Sequence, residues 1–295
     1  MKKNIFKMTL SLLAILPISW LRKIGALAGV IGLYTSSQSK QRLINNLIIS
    51  NMCSANEAEK FAQQCAKEWG KTLIEIAGIA WARSIDNNAK LVTEVVNLEW
   101  MQQVLAQNSP VLFITPHLGN FEVALKYTAK MVPQRIFTVL FKPAKSQLLN
   151  EVMLDGRVGT NISPVPTDRK GIYTLVKELK NNGIAGILPD SVSSNSDGTW
   201  IDFFGNKVFA TTLAAKMSLL PNVTTIFAVA YRIKNGFRVE YSGFTPTTNN
   251  VEQVVQNIYK VLEQIILKQP QQYYWSYDRF RKPPYAKPIV AKEGI

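Results

Sequence analysis

The stretch Val111–Val132, VLFITPHLGNFEVALKYTAKMV, decides the fold of this 295-residue chain. It begins with a short apolar run that ends at Pro116, which is the pattern of a buried strand. From Phe121 onward the apolar residues recur at helical spacing, so a helix is predicted after a short turn. That turn contains His117, which is the sole histidine of the chain.

The alternation of strand and helix continues downstream. Further apolar runs that read as strands are RIFTVLFK, GIAGILPD, TTIFAVAYRI and FRVEYSG, and helical segments separate most of them. This order predicts an α/β fold with a mostly parallel central sheet flanked by helices. Upstream, apolar residues from Ser36 to Arg83 recur at helical spacing, which predicts a helical amino-terminal region before the sheet.

His117 lies where functional groups collect in such a fold, at the carboxyl end of a strand. Glu122, in the first turn of the following helix, is expected to reach back to the imidazole. A carboxylate that accepts one ring N–H leaves the other nitrogen free as a general base. Gly119 allows a substrate to approach the backbone closely. The alternative is a surface histidine, with Glu122 as a favourable charge at a helix start.

The amino terminus contains two apolar runs, Met8–Leu21 and Ile24–Tyr34. The first is shorter than the roughly 20 residues that a spanning helix needs, and Pro17 interrupts it. A cleaved signal peptide is disfavoured because the basic pair Arg22-Lys23 follows the first run.

We therefore expect residues 1–35 to form a membrane anchor or interfacial helices that precede a domain over residues 36–290. Lysine and arginine side chains beside the apolar runs, Arg22 among them, would bind anionic headgroups. The alternative is the buried first helix of a soluble domain.

The composition narrows the classes of partner. With 34 Lys+Arg against 20 Asp+Glu, the formal net charge of +14 predicts attraction to anionic surfaces. Aromatic residues are not interleaved with the basic ones, which disfavours nucleic acid and leaves a membrane or an acidic carrier. Cys53 and Cys65 indicate neither a disulfide framework nor a thiolate metal site, and no metal is expected.

The motif HLGNFE, His117–Glu122, resembles the His-x4-Glu/Asp block of the glycerolipid acyltransferase superfamily. Its Gly-Asn-aromatic-Glu form resembles the bacterial lipid A late acyltransferases, the lauroyl and myristoyl transferases. The resemblance covers about residues 8–284. Further blocks follow in the order of that family: LDGRVG, TDRKGIYTLVKELKNNGIAGILPD, GTWIDFFGNKVFATT and QPQQYYWSYDRFRKPP.

The resemblance implies a membrane-associated O-acyltransferase that moves a fatty acyl chain from acyl carrier protein to a hydroxyl of a lipid A precursor. His117 would act as the general base, oriented by Glu122. No cofactor is implied beyond the acyl-acyl carrier protein donor. The implied location is the cytoplasmic face of the bacterial inner membrane, an anionic surface. The substrate-binding residues implied are Gly119, Asn120, Arg157, Arg169, Lys170, Asp190, Phe203, Phe204 and Gly205.

Three positions depart from the pattern of the family. Ser191 stands where glutamine is common, Tyr277 where histidine is common, and Ala228 where proline is frequent. Because these are binding-wall positions, they bear on the acceptor more than on the reaction. The alternatives are therefore another lipid acceptor (a lysophospholipid, aminolipid or glycolipid) or a lipid-binding relative without catalysis.

Overall fold

The computed structural model describes residues 2–81, 83–142, 147–157, 160–193 and 197–286, and it confirms the predicted α/β fold. The helices are α1 Lys2–Ile15, α2 Ile18–Thr35, α3 Ser37–Ile49, α4 Ala58–Glu75, α5 Ile85–Ala89, α6 Leu98–Ala106, α7 Phe121–Lys130, α8 Gln147–Asp155, α9 Arg169–Lys180, α10 Leu213–Ser218 and α11 Val251–Lys268. The strands are β1 Val92–Val96, β2 Val111–Ile114, β3 Phe137–Phe141, β4 Ile162–Pro166, β5 Ile184–Ile187, β6 Gly198–Phe203, β7 Asn206–Thr211, β8 Thr224–Ile233 and β9 Gly236–Phe244.

The central sheet of the described chain has the strand order β1-β9-β8-β2-β5-β3-β4. Neighbouring strands run parallel except β8 and β9, which form an antiparallel hairpin. One apolar core, on the side of α6 and α7, contains Met101, Ala124, Phe113 and Phe137. A second core joins the sheet to α4, α9 and α11. The sheet is therefore covered on both faces, as expected where parallel strands are joined by helices.

Strands β1, β4, β6 and β7 were not among the sequence predictions, and a local reason is visible for β4 and for the β6–β7 hairpin. Strand β4 contains Pro164 and Pro166, which disfavour a central strand but are tolerated here because β4 is an edge of the sheet. The separate β6–β7 hairpin turns through Phe204 at φ 49° and Gly205 at φ 74°. Asn-Gly is the usual sequence signal for such a turn, and phenylalanine is rare in the left-handed region, so the sequence did not predict this turn.

The amino-terminal helices expose much apolar surface. Pro17 separates α1 from α2, as the sequence indicated. No helix of the described residues combines the length and the apolar character that crossing a bilayer requires. Large side chains left exposed on α1 and α2 are Met8, Leu12, Ile15, Trp20, Ile24, Leu27, Ile31 and Tyr34.

Helix α2 is packed backbone to backbone against α4. A Cβ on Gly29 would lie 2.0 Å from the carbonyl oxygen of Ala66. A Cβ on Gly70 would lie 2.1 Å from the carbonyl oxygen of Gly25, so small residues on both helices are needed for this approach.

A buried ionic network ties α2 to α4 and β8. Arg22 donates from Nε to Glu75 at 2.7 Å, and Arg232 donates to the other oxygen of Glu75 at 2.7 Å. The prediction that Arg22 binds membrane headgroups was wrong, because Arg22 is buried against Glu75. Burial alone would raise the pKa of Glu75, but the two guanidinium groups hold it below its usual value.

Replacing Glu75 with glutamine is expected to lower the free energy of unfolding by about 3–5 kcal/mol, since buried Arg22 loses its carboxylate partner and Arg232 keeps only Glu68. Denaturant unfolding measures this change. Glu59→Gln on the same helix is the matched control, because its partner Lys40 is at the surface. That variant should leave the stability nearly unchanged. Equal losses in the two variants would contradict the assigned role of Glu75.

Candidate active site

Strand register brings His117 and Asp190 together. Parallel strands β2 and β5 pair with Ile114 opposite Ile187, and His117 and Asp190 each follow three residues later. A proline precedes each of them, in the turns TPH and LPD. Both side chains therefore emerge at the same carboxyl edge of the sheet, where ligands of α/β proteins bind.

Asp190 holds His117 by two contacts. Nδ1 of His117 lies 2.7 Å from Oδ1 of Asp190, and the backbone N–H of His117 donates to Oδ2 at 2.8 Å. In the neutral imidazole, a carboxylate at Nδ1 keeps the proton on that nitrogen and leaves Nε2 free to accept one. Burial alone would lower the pKa of His117, but the charge and hydrogen bond of Asp190 raise it above its ordinary 6.5.

Glu122 does not take the orienting role that the sequence predicted. Its carboxylate accepts a hydrogen bond from Nη2 of Arg157 at 2.6 Å, while Asp190 occupies Nδ1 of His117. Glu122 and Arg157 are 6% exposed each, so this ion pair is largely shielded from solvent. The sequence had assigned Asp190 only to substrate binding; a matching Ile-x-Pro pattern before His117 and Asp190 was the signal that could have paired them.

The loop that carries His117 is fixed by its backbone. Gly119 has φ 57°, and a Cβ there would lie 2.1 Å from the carbonyl oxygen of Ala230, so only glycine fits without strain. The side chain of Asn120 accepts a hydrogen bond from the N–H of Val123 and caps α7. Gly119 and Asn120 are thus scaffold residues, buried and outside the cavity lining, rather than substrate contacts.

The carboxyl-terminal segment braces the same loop. The N–H of Gly119 donates to the carbonyl of Gln272 at 3.2 Å, and the N–H of Tyr274 donates to the carbonyl of His117 at 3.0 Å. Tyr274 in turn stacks on Trp69 of α4 with ring centroids 3.8 Å apart. The QPQQYYW block therefore positions the histidine through main-chain contacts.

A cavity of about 590 Å³ opens beside His117. Its inner part lies between α7 and the sheet and is walled by Phe113, Leu125, Phe137, Val139 and Ala228. Its polar lining includes His117, Glu122, Arg157, Lys142 and Arg281. An apolar cavity with a few convergent polar groups suits a ligand with a hydrocarbon chain and a polar reacting end.

Comparison with known proteins decides the family. The model of the family described as bacterial lipid A biosynthesis acyltransferase matches residues 4–282. The chain belongs to this family. It is therefore an O-acyltransferase enzyme.

Individual relatives of this acyltransferase are distant. The lipid A biosynthesis palmitoleoyltransferase of Escherichia coli (strain K12) is 25% identical over 241 residues, 78% of this chain and 74% of the relative. The lipid A biosynthesis lauroyltransferase of Escherichia coli (strain K12) is 24% identical over 240 residues, 80% of this chain and 76% of the relative. A lipid A biosynthesis acyltransferase of Shigella flexneri is 25% identical over 241 residues, 78% of this chain and 74% of the relative.

Other residues that the sequence assigned to substrate binding do not line the cavity of the acyltransferase. Arg169 and Lys170 are exposed in the first turn of α9 and do not line it. Phe203 is buried against Tyr259, and its turn neighbours Phe204 and Gly205 likewise lie outside the lining. Phe203, Phe204 and Gly205 belong to a hairpin that packs on α11.

A buried lysine near the acyltransferase site was not singled out by the sequence. Lys126 on α7 is 1% exposed, and its Nζ donates to the carbonyl of Gly156 at 2.8 Å. Burial lowers the pKa of Lys126 to about 8. The nearby charge of Glu122 raises this pKa, and that of Arg157 lowers it. The residue thus carries a charge in the interior at neutral pH, next to the segment that presents Arg157.

Replacing Lys126 with methionine is expected to raise the free energy of unfolding at pH 7 by about 1–3 kcal/mol, because a buried charge is removed. Below pH 8 the lysine is protonated in both states, so the folded protein bears the full cost. Between pH 8 and 10.5 the folded protein releases its proton first, and the advantage of the methionine variant shrinks. Denaturant unfolding at pH 7 and 9.5 measures this.

Lys130→Met is the matched control, since Lys130 is an exposed lysine one turn further along α7. It should change the stability little at either pH. A Lys126→Met protein that is less stable than wild type, or a stability difference independent of pH, would contradict the assignment.

Proposed function

We propose that the protein transfers a fatty acyl chain from acyl carrier protein to a hydroxyl of a lipid A precursor. The observation that carries the proposal is His117, held by Asp190 at Nδ1 and lining a largely apolar cavity. Membership of the lipid A biosynthesis acyltransferase family supports the lipid A acceptor.

In the proposed reaction, Nε2 of His117 removes the proton from the acceptor hydroxyl, and the oxygen attacks the thioester carbonyl carbon. A tetrahedral oxyanion forms, and its collapse breaks the carbon–sulfur bond. The departing thiolate of the carrier takes the proton from His117, which restores the neutral imidazole. Asp190 stabilises the imidazolium while it exists, since its carboxylate is already in contact with Nδ1.

Arg157 supplies positive charge in the lining of the cavity, either for the oxyanion or for an acceptor phosphate. Glu122 fixes the guanidinium through Nη2, while Nε and Nη1 of Arg157 and Oε2 of Glu122 have no hydrogen-bond partner among the residues that the structure describes. Glu122 thereby enters the mechanism through Arg157. The unused donors of a planar guanidinium suit an anion that arrives with the substrate.

In this proposal the enzyme lies on a membrane, at the cytoplasmic face of the bacterial inner membrane, and the exposed apolar face of α1 and α2 supports this. Met8, Leu12, Ile15 and Leu27 are all more than half exposed, and Lys23 lies over the exposed ring of Trp20. Such a face lies in the headgroup region without spanning. The double variant Trp20→Glu/Leu27→Glu should no longer co-sediment with anionic vesicles. Co-sedimentation of this variant at the wild-type level would contradict membrane binding through α1 and α2.

The direct test incubates the purified protein with acyl-acyl carrier protein and a lipid A precursor, and measures the lipid by mass spectrometry. A product heavier by one acyl group, with loss of acyl carrier protein thioester, is the expected result. An unmodified lipid A precursor, in an assay where another lipid is acylated, would overturn the proposed acceptor.

A second acceptor class is favoured by one specific observation. Ser191, Tyr277 and Ala228, the three departures from the pattern of the family, all line the cavity. The hydroxyl of Tyr277 also accepts a hydrogen bond from the N–H of Val192, so it shapes the wall beside Asp190. The same chemistry on a lysophospholipid, aminolipid or glycolipid is therefore the alternative that the assay above separates.

A further inference from the structure

A basic face on helix α9 has no role in the chemistry described above. Arg169, Lys170, Lys177 and Lys180 are exposed, and Tyr173 among them is 68% exposed. At 100° per residue these side chains fall within about one quadrant of the helix, opposite the buried Leu175 and Leu179.

The cations on this face are unpaired. Within the described parts of the chain, none of the four forms an ion pair with a carboxylate. Of the nearby acids, Asp168 caps the helix by accepting from the N–H of Gly171, and Glu178 is half-buried. The face therefore presents uncompensated positive charge around one aromatic side chain, a composition suited to an acidic protein surface.

Helix α9 begins beside the cavity. Thr167, just before the helix, and Ile172, in its first turn, both line the cavity that contains His117. At 1.5 Å per residue, Lys180 lies roughly 16 Å from Arg169 along the axis. A partner bound on this face would therefore lie beside the cavity that contains His117.

Helix α9 lies away from the apolar face of α1 and α2 that is proposed to bind the membrane. Helix α9 packs on β3, β4 and β5, whereas Arg22 of α2 reaches the turn between β8 and β9. In the sheet order, β2 lies between these two groups of strands. The basic face and the apolar face are thus at opposite ends of the sheet, which favours a soluble partner over lipid for α9.

We infer that the exposed face of α9, formed by Arg169, Lys170, Tyr173, Lys177 and Lys180, docks the acidic carrier protein that delivers the acyl thioester. The inference rests on the proposed function for its acyl donor. To the proposed function it adds the surface on which the carrier docks. The carrier and the lipid would then reach the cavity from different ends of the sheet.

The test compares Lys177→Glu/Lys180→Glu with wild type, using acyl-acyl carrier protein and acyl-pantetheine as alternative donors. With the carrier protein, kcat/KM should fall about tenfold at low salt, mainly through KM, and lose most of its salt dependence. With acyl-pantetheine, kcat/KM should be unchanged, which also shows that the variant is folded. Lys67→Glu/Lys260→Glu, with the same change in net charge on exposed lysines of α4 and α11, is the control and should behave as wild type.

Three outcomes overturn the docking surface: equal loss in both double variants, equal loss with both donors, or loss of binding to anionic vesicles with carrier kinetics unchanged. Failure of the proposed function looks different. In that case the wild-type protein itself does not use acyl-acyl carrier protein, and the docking inference falls with it.

Discussion

Replacing His117 with alanine is expected to lower kcat/KM for acyl transfer by about 10³- to 10⁴-fold, because the general base is lost. The substrates should still bind with similar KM, since the apolar walls of the cavity are unchanged. The effect should exceed that of any other single change in the lining of the cavity. Steady-state kinetics with acyl-acyl carrier protein and the lipid acceptor measure it.

The composition of the chain offers an independent control for this variant. Because His117 is the sole histidine, a histidine-directed reagent such as diethyl pyrocarbonate should inactivate wild type in proportion to modification of one imidazole. Substrate should protect, since His117 lines the cavity. Near-normal turnover by a folded His117→Ala protein would remove the base from the mechanism.

Asp190→Asn should lower kcat by about 10²- to 10³-fold and move the acid limb of the pH profile. In wild type the rate falls as pH drops through the pKa of His117, which Asp190 raises. Asparagine removes the charge while the burial that lowers this pKa remains. The acid limb of kcat/KM is therefore expected at lower pH in the variant, and the lower plateau reflects loss of the fixed tautomer.

Glu122→Gln distinguishes the structure from the prediction made on sequence spacing. Since Glu122 bonds Arg157 and Asp190 holds Nδ1 of His117, this variant should lose activity without moving the acid limb. An acid limb displaced by Glu122→Gln and unmoved by Asp190→Asn would restore Glu122 as the orienting carboxylate. Unfolding curves for both variants separate these effects from loss of the fold.

The sequence predicted those features that are encoded within one short segment. The strand, turn and helix of Val111–Val132 and the place of His117 at a carboxyl edge follow from local periodicity. Strand β4 and the Phe204-Gly205 turn were not predicted from the sequence. Proline is disfavoured within strands, and phenylalanine is not a usual residue of a hairpin turn.

Contacts that depend on strand order could not be predicted from local sequence patterns. Asp190 meets His117 because β5 is the neighbour of β2, although 73 residues separate them along the chain. Arg22 reads as a membrane-binding residue beside an apolar run, yet tertiary packing places it on Glu75. In both cases a charged side chain contacts a partner that is distant in the sequence, and only the folded chain brings the two together.

Mass spectrometry of lipid A from a strain that lacks this protein tests the central claim most directly. Lipid A lighter by one acyl chain is predicted, with full mass restored by the wild-type protein and not by the His117→Ala variant. Lipid A of unchanged mass, together with loss of an acyl chain from a different lipid, would contradict the assignment to lipid A.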